Sequence, residues 1–385
     1  MKKICFITTV SLTLKTFVLE TAKYIHNNTD WDITFICNDD EEFAQKLPEY
    51  IHFIPVPMER GISIAGIKAM LQMKRIFKKE KFDLIQYSTP NASLYASLAG
   101  KIAGVPVRLY CQWGMAFVGF SGLKRKIFQF EEQCVCSLST HIEPDSESNL
   151  NFAHEIGLYP KDKGSVIWNG SACGVKLDKF NVENKKKYRL LIRNNLGIHE
   201  NDFVYGFVGR ITRDKGINEL FEAFNSIVKI NANVYLMLVG PSEIDNTISK
   251  ELLTQAQTNN KIIFVGYTDV VEQYLSAMDC YILPSYREGF GMGVVEAEAM
   301  GLPVIVSDIP GPTDAMIDGE TGIIVKKADV ETLTMAMKKV LNDREFCVKC
   351  EKNGIEFAKN NFEQKKLFSY ILEDRKKLLG LSNGS

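Results

Sequence analysis

The amino-acid sequence predicts an α/β chain of two Rossmann-like domains, each a parallel sheet wrapped by helices, with the two sheets facing each other across a cleft. Three observations predict it. Short apolar runs alternate with helical patterns along most of the chain, as successive βαβ units require. At 385 residues the chain is too long for one ordinary α/β core. The alternation also starts twice, once on each side of a polar stretch, Asn181–Lys187.

In the first series, Lys3–Thr8, Trp31–Ile36, Leu84–Tyr87 and Val107–Cys111 read as strands, and Thr16–Asn27, Ile67–Glu80 and Asn91–Ile102 as helices. In the second, the strands are Phe203–Val208, Val234–Val239, Lys261–Val265, Cys280–Pro284 and Pro303–Ser307. Between them Ile217–Val228, Ile248–Thr258, Asp269–Met278 and Val294–Met300 carry helical spacing, and Arg344–Leu379 reads as a pair of charged helices. The domains expected are therefore 1–180 and 181–355, with a C-terminal helix over 356–385 that returns to the N-terminal domain.

Composition narrows the function. A net charge of −1 gives no global basic field for nucleic acid. No stretch approaches the roughly 20 apolar residues of a membrane span. The first residues faintly resemble a signal peptide, but Thr8, Thr9 and Ser11 cut the apolar run short, so a buried first strand is expected. Nine cysteines without a framework of spacings read as reduced thiols of a cytosolic protein, Cys347 and Cys350 included.

Ligands of doubly wound sheets bind beyond the carboxyl ends of the strands. Gly209-Arg210-Ile211-Thr212-Arg213-Asp214-Lys215-Gly216 follows one strand and precedes a helix. Glycine lets the backbone approach a ligand, and Arg210 and Lys215 bring two cations to one loop, as a diphosphate requires. The second segment runs Pro284-Ser285-Tyr286-Arg287-Glu288-Gly289-Phe290-Gly291-Met292-Gly293-Val294-Val295-Glu296. Its glycine-rich turn opens a helix near Met292, whose free N–H groups form an anion site. Glu288 and Glu296 beside phosphates need another task, and sugar hydroxyls supply it, because a carboxylate accepts paired hydrogen bonds from a diol. Ser307–Asp314 reads as a third loop, followed by a hairpin-like glycine turn through Asp318–Gly322.

With these residues in view, Gly209–Val325 resembles the nucleotide-binding domain of retaining glycosyltransferases of family 4, which have the GT-B fold. The E-G-F-G-x4-E-A pattern from Glu288 to Ala297 carries the resemblance, and Asn169-Gly170 and Gly174–Phe180 extend it. The nearest flavour is that of bacterial capsule, O-antigen and exopolysaccharide transferases. The resemblance implies a nucleotide-sugar donor, with UDP as nucleotide, and a glycan or polyprenyl-diphosphate acceptor. It implies that Arg210, Lys215 and Gly209 hold the diphosphate and that Glu296 takes the ribose. Glu288 with Gly289, Phe290, Gly291 and Met292 would meet the sugar and its phosphate, and the base would lie against Gly266-Tyr267. No cofactor and no metal are expected.

Two departures stand out. The loop Thr8–Lys15 lacks the family's paired glycines, so its hydroxyls, Ser11 among them, or Lys15 serve in their place or serve the acceptor. After Val107–Cys111 the family has a His before a Gly; here the residues are Gln112-Trp113-Gly114. An indole beside the sugar favours a donor lacking a polar edge, with hexoses and N-acetylhexosamines as the default. A GT-B epimerase would need acid and base residues in the cleft of the N-terminal domain, and no histidine is found at that cleft. A lapsed transferase acting as a scaffold is the other alternative, against which the intact Glu288, Glu296, Arg210 and Lys215 argue. Phe117–Phe130 mixes aromatics with Lys124, Arg125 and Lys126, and Met73–Lys79 is a second basic segment. Such segments suit peripheral contact with an anionic membrane at the cytoplasmic face.

Overall fold

A computed structural model describes residues 1–58, 64–242 and 248–381. The chain forms two compact units, Met1–Cys173 with Lys365–Ser385, and Gly174–Gln364.

In the first unit β1 (Lys3–Ile7), β2 (Asp32–Cys37), β3 (Ile51–Pro55), β4 (Leu84–Tyr87), β5 (Val107–Gln112) and β6 (His141–Pro144) form one parallel sheet in the order β3-β2-β1-β4-β5-β6. In the second, β7 (Phe203–Val208), β8 (Val234–Val239), β9 (Ile262–Gly266), β10 (Cys280–Leu283), β11 (Val304–Ser307) and β12 (Gly322–Val325) give β12-β11-β10-β7-β8-β9. Counted within its own unit, each sheet has the doubly wound Rossmann order 3-2-1-4-5-6. The order reverses between β1 and β4 in one unit and between β7 and β10 in the other, and each sheet has a crevice at its own reversal. Interior strands such as β4, β10 and β11 are buried at every position, as a sheet covered on both faces demands. Ile4, Cys5, Phe6 and Ile7 are buried, so the N-terminal apolar run is a central strand.

Several elements differ from the sequence reading. Strands β3 and β6 were not expected, because both are short sheet edges with polar residues. In β6 Glu143 is a buried ion-pair partner: Arg375, 1% exposed, donates to both its oxygens at 2.5 and 3.1 Å and also to Gln86. That pair fixes the helix Gln364–Leu378 to the first unit, whereas Arg344–Phe362 belongs to the second. The units part at Cys173 and Gly174, because Val175 and Phe180 lie in the second core. The polar stretch Asn181–Lys187 runs into a helix, Lys185–Leu196. Its Arg193 is buried, bonding the carbonyls of Ala277, His199, Glu200 and Asp202 and the carboxylate of Asp279. Asp318–Gly322 does not close a hairpin: β12 runs parallel to β11. A further helix, Val330–Asn342, was missed.

Candidate active site

The two loops that flank the β7/β10 switch point are in backbone contact. Gly216 has φ +71°, and a Cβ there would stand 2.0 Å from the carbonyl oxygen of Pro284. Only glycine permits both the left-handed turn and that approach. The Tyr286 N–H donates to the Asp214 carbonyl at 2.8 Å, and the Tyr286 hydroxyl donates to Glu219. Asp214 joins the loops a second time. It accepts from the Thr212 hydroxyl at 2.6 Å and pairs with Arg287 at 3.0 Å. Burial alone would raise its pKa. The Thr212 hydroxyl and the cations Arg287, Lys215 and Arg210 outweigh burial and hold the carboxyl below its ordinary value.

Inside this frame Lys215 Nζ donates to Glu288 Oε1 at 2.6 Å, and the Ser285 hydroxyl donates to the same oxygen at 2.7 Å. Both charged groups are mostly buried, with side chains 17% and 12% exposed. The pair resolves the electrostatic objection to a carboxylate near phosphates, because Lys215 neutralises Glu288 before any ligand arrives. Gly291, at φ +86°, turns the chain from the Glu288 loop into the helix Met292–Ala299. Gly293 carries no side chain because the Tyr281 hydroxyl would lie 2.3 Å from its Cβ.

Glu296 lies one helical turn further on, in a different setting. Burial pushes its carboxyl up to about 7, Lys179 opposes the rise and Glu272 adds to it. Lys179 itself donates to the Asp269 carbonyl at 2.8 Å and pairs with Glu272 at 3.5 Å. The Tyr267 hydroxyl donates to Asp269 Oδ1 at 2.9 Å, and its ring is 60% exposed beside Gly266, at φ +81°. One end of the site is therefore cationic and glycine-lined, and the other carries an exposed aromatic ring and a carboxylate. Of the predicted donor residues, the structure brings Lys215, Glu288 and Arg210 to the first end through Asp214, and groups Glu296 with the Lys179 and Glu272 cluster.

Sequence reasoning missed Thr212, Asp214, Ser285 and Arg287, although each adjoins a motif residue. It also missed Lys179, which no local pattern connects to Glu296.

In the first unit Thr9 and Thr89 meet at the β1/β4 switch point, N–H to hydroxyl at 3.0 Å and hydroxyl to hydroxyl at 2.9 Å. The loop after β1 coils into a π-helical turn, Leu14–Val18, which carries the exposed Lys15. Ser11 donates to Asp40 at 2.5 Å. Trp113 packs on Phe17 with ring centroids 5.4 Å apart, and Gly114 takes φ +93°. Beneath them Gln112 is buried, donating to Glu132 at 2.6 Å and accepting from Tyr159 at 3.1 Å. Burial raises Glu132 to about 7 against the hydrogen bonds of Gln112 and Tyr110.

Two parallel six-stranded Rossmann-type sheets, one with a cationic loop and two carboxylates beyond its strand ends, define a protein of GT-B architecture. Comparison with known proteins carries this further. The family described as glycosyl transferases group 1 matches residues 189–357, and that described as glycosyl transferase 4-like matches residues 3–142. The capsular polysaccharide biosynthesis glycosyltransferase CapM of Staphylococcus aureus is 32% identical over 336 residues, 86% of each chain. An Escherichia coli UDP-Gal:alpha-D-GlcNAc-diphosphoundecaprenol alpha-1,3-galactosyltransferase is 28% identical, covering 82% of each. Among solved structures, HepE of Anabaena in complex with UDP and glucose superposes with a TM-score of 0.78 at 19% identity, over 98% of this chain and 100% of that one. The chain belongs to the group 1 glycosyltransferases, with a 4-like N-terminal domain.

Proposed function

We propose that this glycosyltransferase takes its sugar from a UDP-sugar and passes it, with retention at C1, to a lipid-linked glycan acceptor in surface polysaccharide synthesis. The observation that carries the reading is the Lys215–Glu288 pair at the switch point, with Glu296 at the nucleoside end. Lys215 and Arg210 face the diphosphate, together with the helix amides at Met292. As the bond to C1 breaks, charge gathers on the leaving phosphate, so these groups act most strongly in the transition state. They supply the neutralisation that a metal would otherwise supply. Glu288 and the amides of Gly289 and Phe290 hold the sugar, Glu296 the ribose hydroxyls, and Tyr267 with Gly266 the base. The leaving phosphate accepts the acceptor's proton, and attack on the same face retains configuration. The test is transfer from UDP-sugars to a synthetic polyprenyl-diphosphate sugar, with the product anomer read by NMR. An α-linked product from an α-donor supports the proposal, and inversion overturns the mechanism.

A second part of the proposal concerns where the acceptor is met. Among the described residues no helix is long and apolar enough to cross a membrane. The helix Gly122–Leu138 exposes Leu123, Ile127 and Phe130 at 74%, 51% and 67%, spacings that form one stripe. Exposed Lys124, Arg125 and Lys126 flank the stripe, and Lys124 lies over the Phe120 ring at 4.2 Å. Apolar side chains in water beside a cationic cluster favour an anionic membrane surface over a merely solvated helix face. The enzyme is proposed to work there, at the cytoplasmic leaflet. Flotation with anionic liposomes at low salt should retain the protein, and Ile127→Glu with Phe130→Glu should release it. Absence of binding by the parent overturns this part.

A further inference from the structure

The first unit holds a cavity of about 270 Å³ between the loops that follow β1 and β2. Its walls come from two short helical pieces. The π-helical turn Leu14–Val18 widens the start of the helix after β1, and Lys15 within it lines one side together with Leu12 before it and Leu19 after it. The helix Glu41–Gln45 and the residues after it supply Phe43 and Leu47 opposite. The hydrogen bonds of the π-helical turn close i→i+5 instead of i→i+4, which widens the coil, and such turns recur at functional sites.

The rim decides what fits. Asp40 accepts from the Ser11 hydroxyl at 2.5 Å and from the Phe43 N–H at 3.0 Å, which stiffens the floor and fixes its carboxylate. Glu42 pairs with Lys46 at 2.5 Å, but their side chains are 79% and 71% exposed. An exposed pair of that kind is weak, so both ends can turn to a ligand at small cost. Two carboxylates and two ammonium groups cancel at the rim. A phosphate gains nothing from such a rim, and an acyl chain would leave its charges facing hydrocarbon. A neutral polyol gains hydrogen bonds of both kinds. The wall of Leu12, Leu19, Phe43 and Leu47 then needs an apolar group on that polyol.

We propose that this cavity binds the acylamino group and ring of an N-acetylated sugar, the residue of the acceptor that receives the new linkage. Naming it the acceptor's sugar rests on the transferase reading above, whereas the cavity's preference for an N-acetyl sugar does not. Ser11, Asp40 and Lys15 take ring hydroxyls and the amide, and the acetyl methyl lies against Leu12 and Phe43.

Saturation-transfer NMR on the full chain tests this without nucleotide, using the methyl glycosides of N-acetylglucosamine and of glucose as probes. The strongest transfer is expected at the acetyl methyl, with little for the glucoside. Leu12 is 54% exposed, so Leu12→Asp tests the wall without disturbing a core position. It should reduce the methyl signal by about fivefold or more, because a charge now faces the methyl. Leu12→Met should keep the signal, and thermal melting confirms that both variants fold. Equal signals from the two glycosides, or a signal unchanged in Leu12→Asp, would overturn the proposal. A chain that shows the acetyl preference but transfers from no nucleotide sugar keeps the cavity's specificity and loses the transferase reading. Transfer without acetyl preference has the opposite consequence.

Discussion

The two units share one strand order and differ in what stands at the reversal. At β7/β10 the chain places glycines, three cations and two carboxylates, tied by Asp214 into a rigid frame. At β1/β4 it places threonine hydroxyls, a π-helical turn and an indole packed at a tilt on Phe17. The difference shows that the sheet fixes only where a ligand binds. The loops decide its chemistry: charged and backbone-rich in one unit, as the proposed diphosphate site requires, and apolar and hydroxylated in the other, as the proposed acceptor site requires.

The comparison is broken most easily through the charges. Lys215→Ala should lower kcat for transfer about 10²–10³-fold, the scale of one lost donor to a developing oxyanion. Lys15→Ala in the first unit should cost less than about tenfold. Glu288→Gln should act on kcat more than on the donor KM. Equal losses at Lys15 and Lys215 would erase the proposed division of labour. Backbone contact offers a smaller but cleaner contrast. Gly216→Ala sets a Cβ 2.0 Å from a carbonyl and should cost more than about 3 kcal/mol of stability. Gly104 has φ +77° and open space around it, so Gly104→Ala should cost only about 1–2 kcal/mol. Chemical denaturation of both variants checks the ranking.

The smallest effect is a pH dependence. Burial raises Glu296 from its ordinary value to about 7, so the folded chain keeps its proton where the unfolded chain has lost it. Ionising it is a cost to folding that grows as pH rises from about 4.5 to 7 and is constant above. Glu296→Gln carries no such cost. Its melting temperature relative to the parent should therefore rise across that window by about 2–4 °C for each kcal/mol relieved. A flat difference from pH 5 to 8 would show that the carboxyl is already ionised in the folded state.

Much of this was legible in the sequence. Strands β4, β7 and β8 fall at the residues their apolar runs mark, because buried parallel strands have no polar face to blur the pattern. Strands β3 and β6 escaped because edge strands tolerate His52, Pro55 and Glu143, and the charge of Glu143 is paired by an arginine more than 200 positions away. The candidate site was legible where its residues are contiguous, from Glu288 to Glu296. It was not legible where its groups meet by folding alone: Lys215 on Glu288, Arg287 on Asp214, Lys179 near Glu296. A linear pattern names the loops and cannot name the partners, since those depend on which strand ends the sheet brings side by side.

The central claim is that the second unit reads the donor, with Glu296 at its nucleoside end. Calorimetric titration of UDP into the full chain tests it most directly. The parent should bind, Glu296→Ala should bind at least about tenfold more weakly, the cost of a lost charged hydrogen bond, and Trp113→Ala should match the parent. UDP affinity unchanged in Glu296→Ala, or lost in Trp113→Ala alone, would contradict the account.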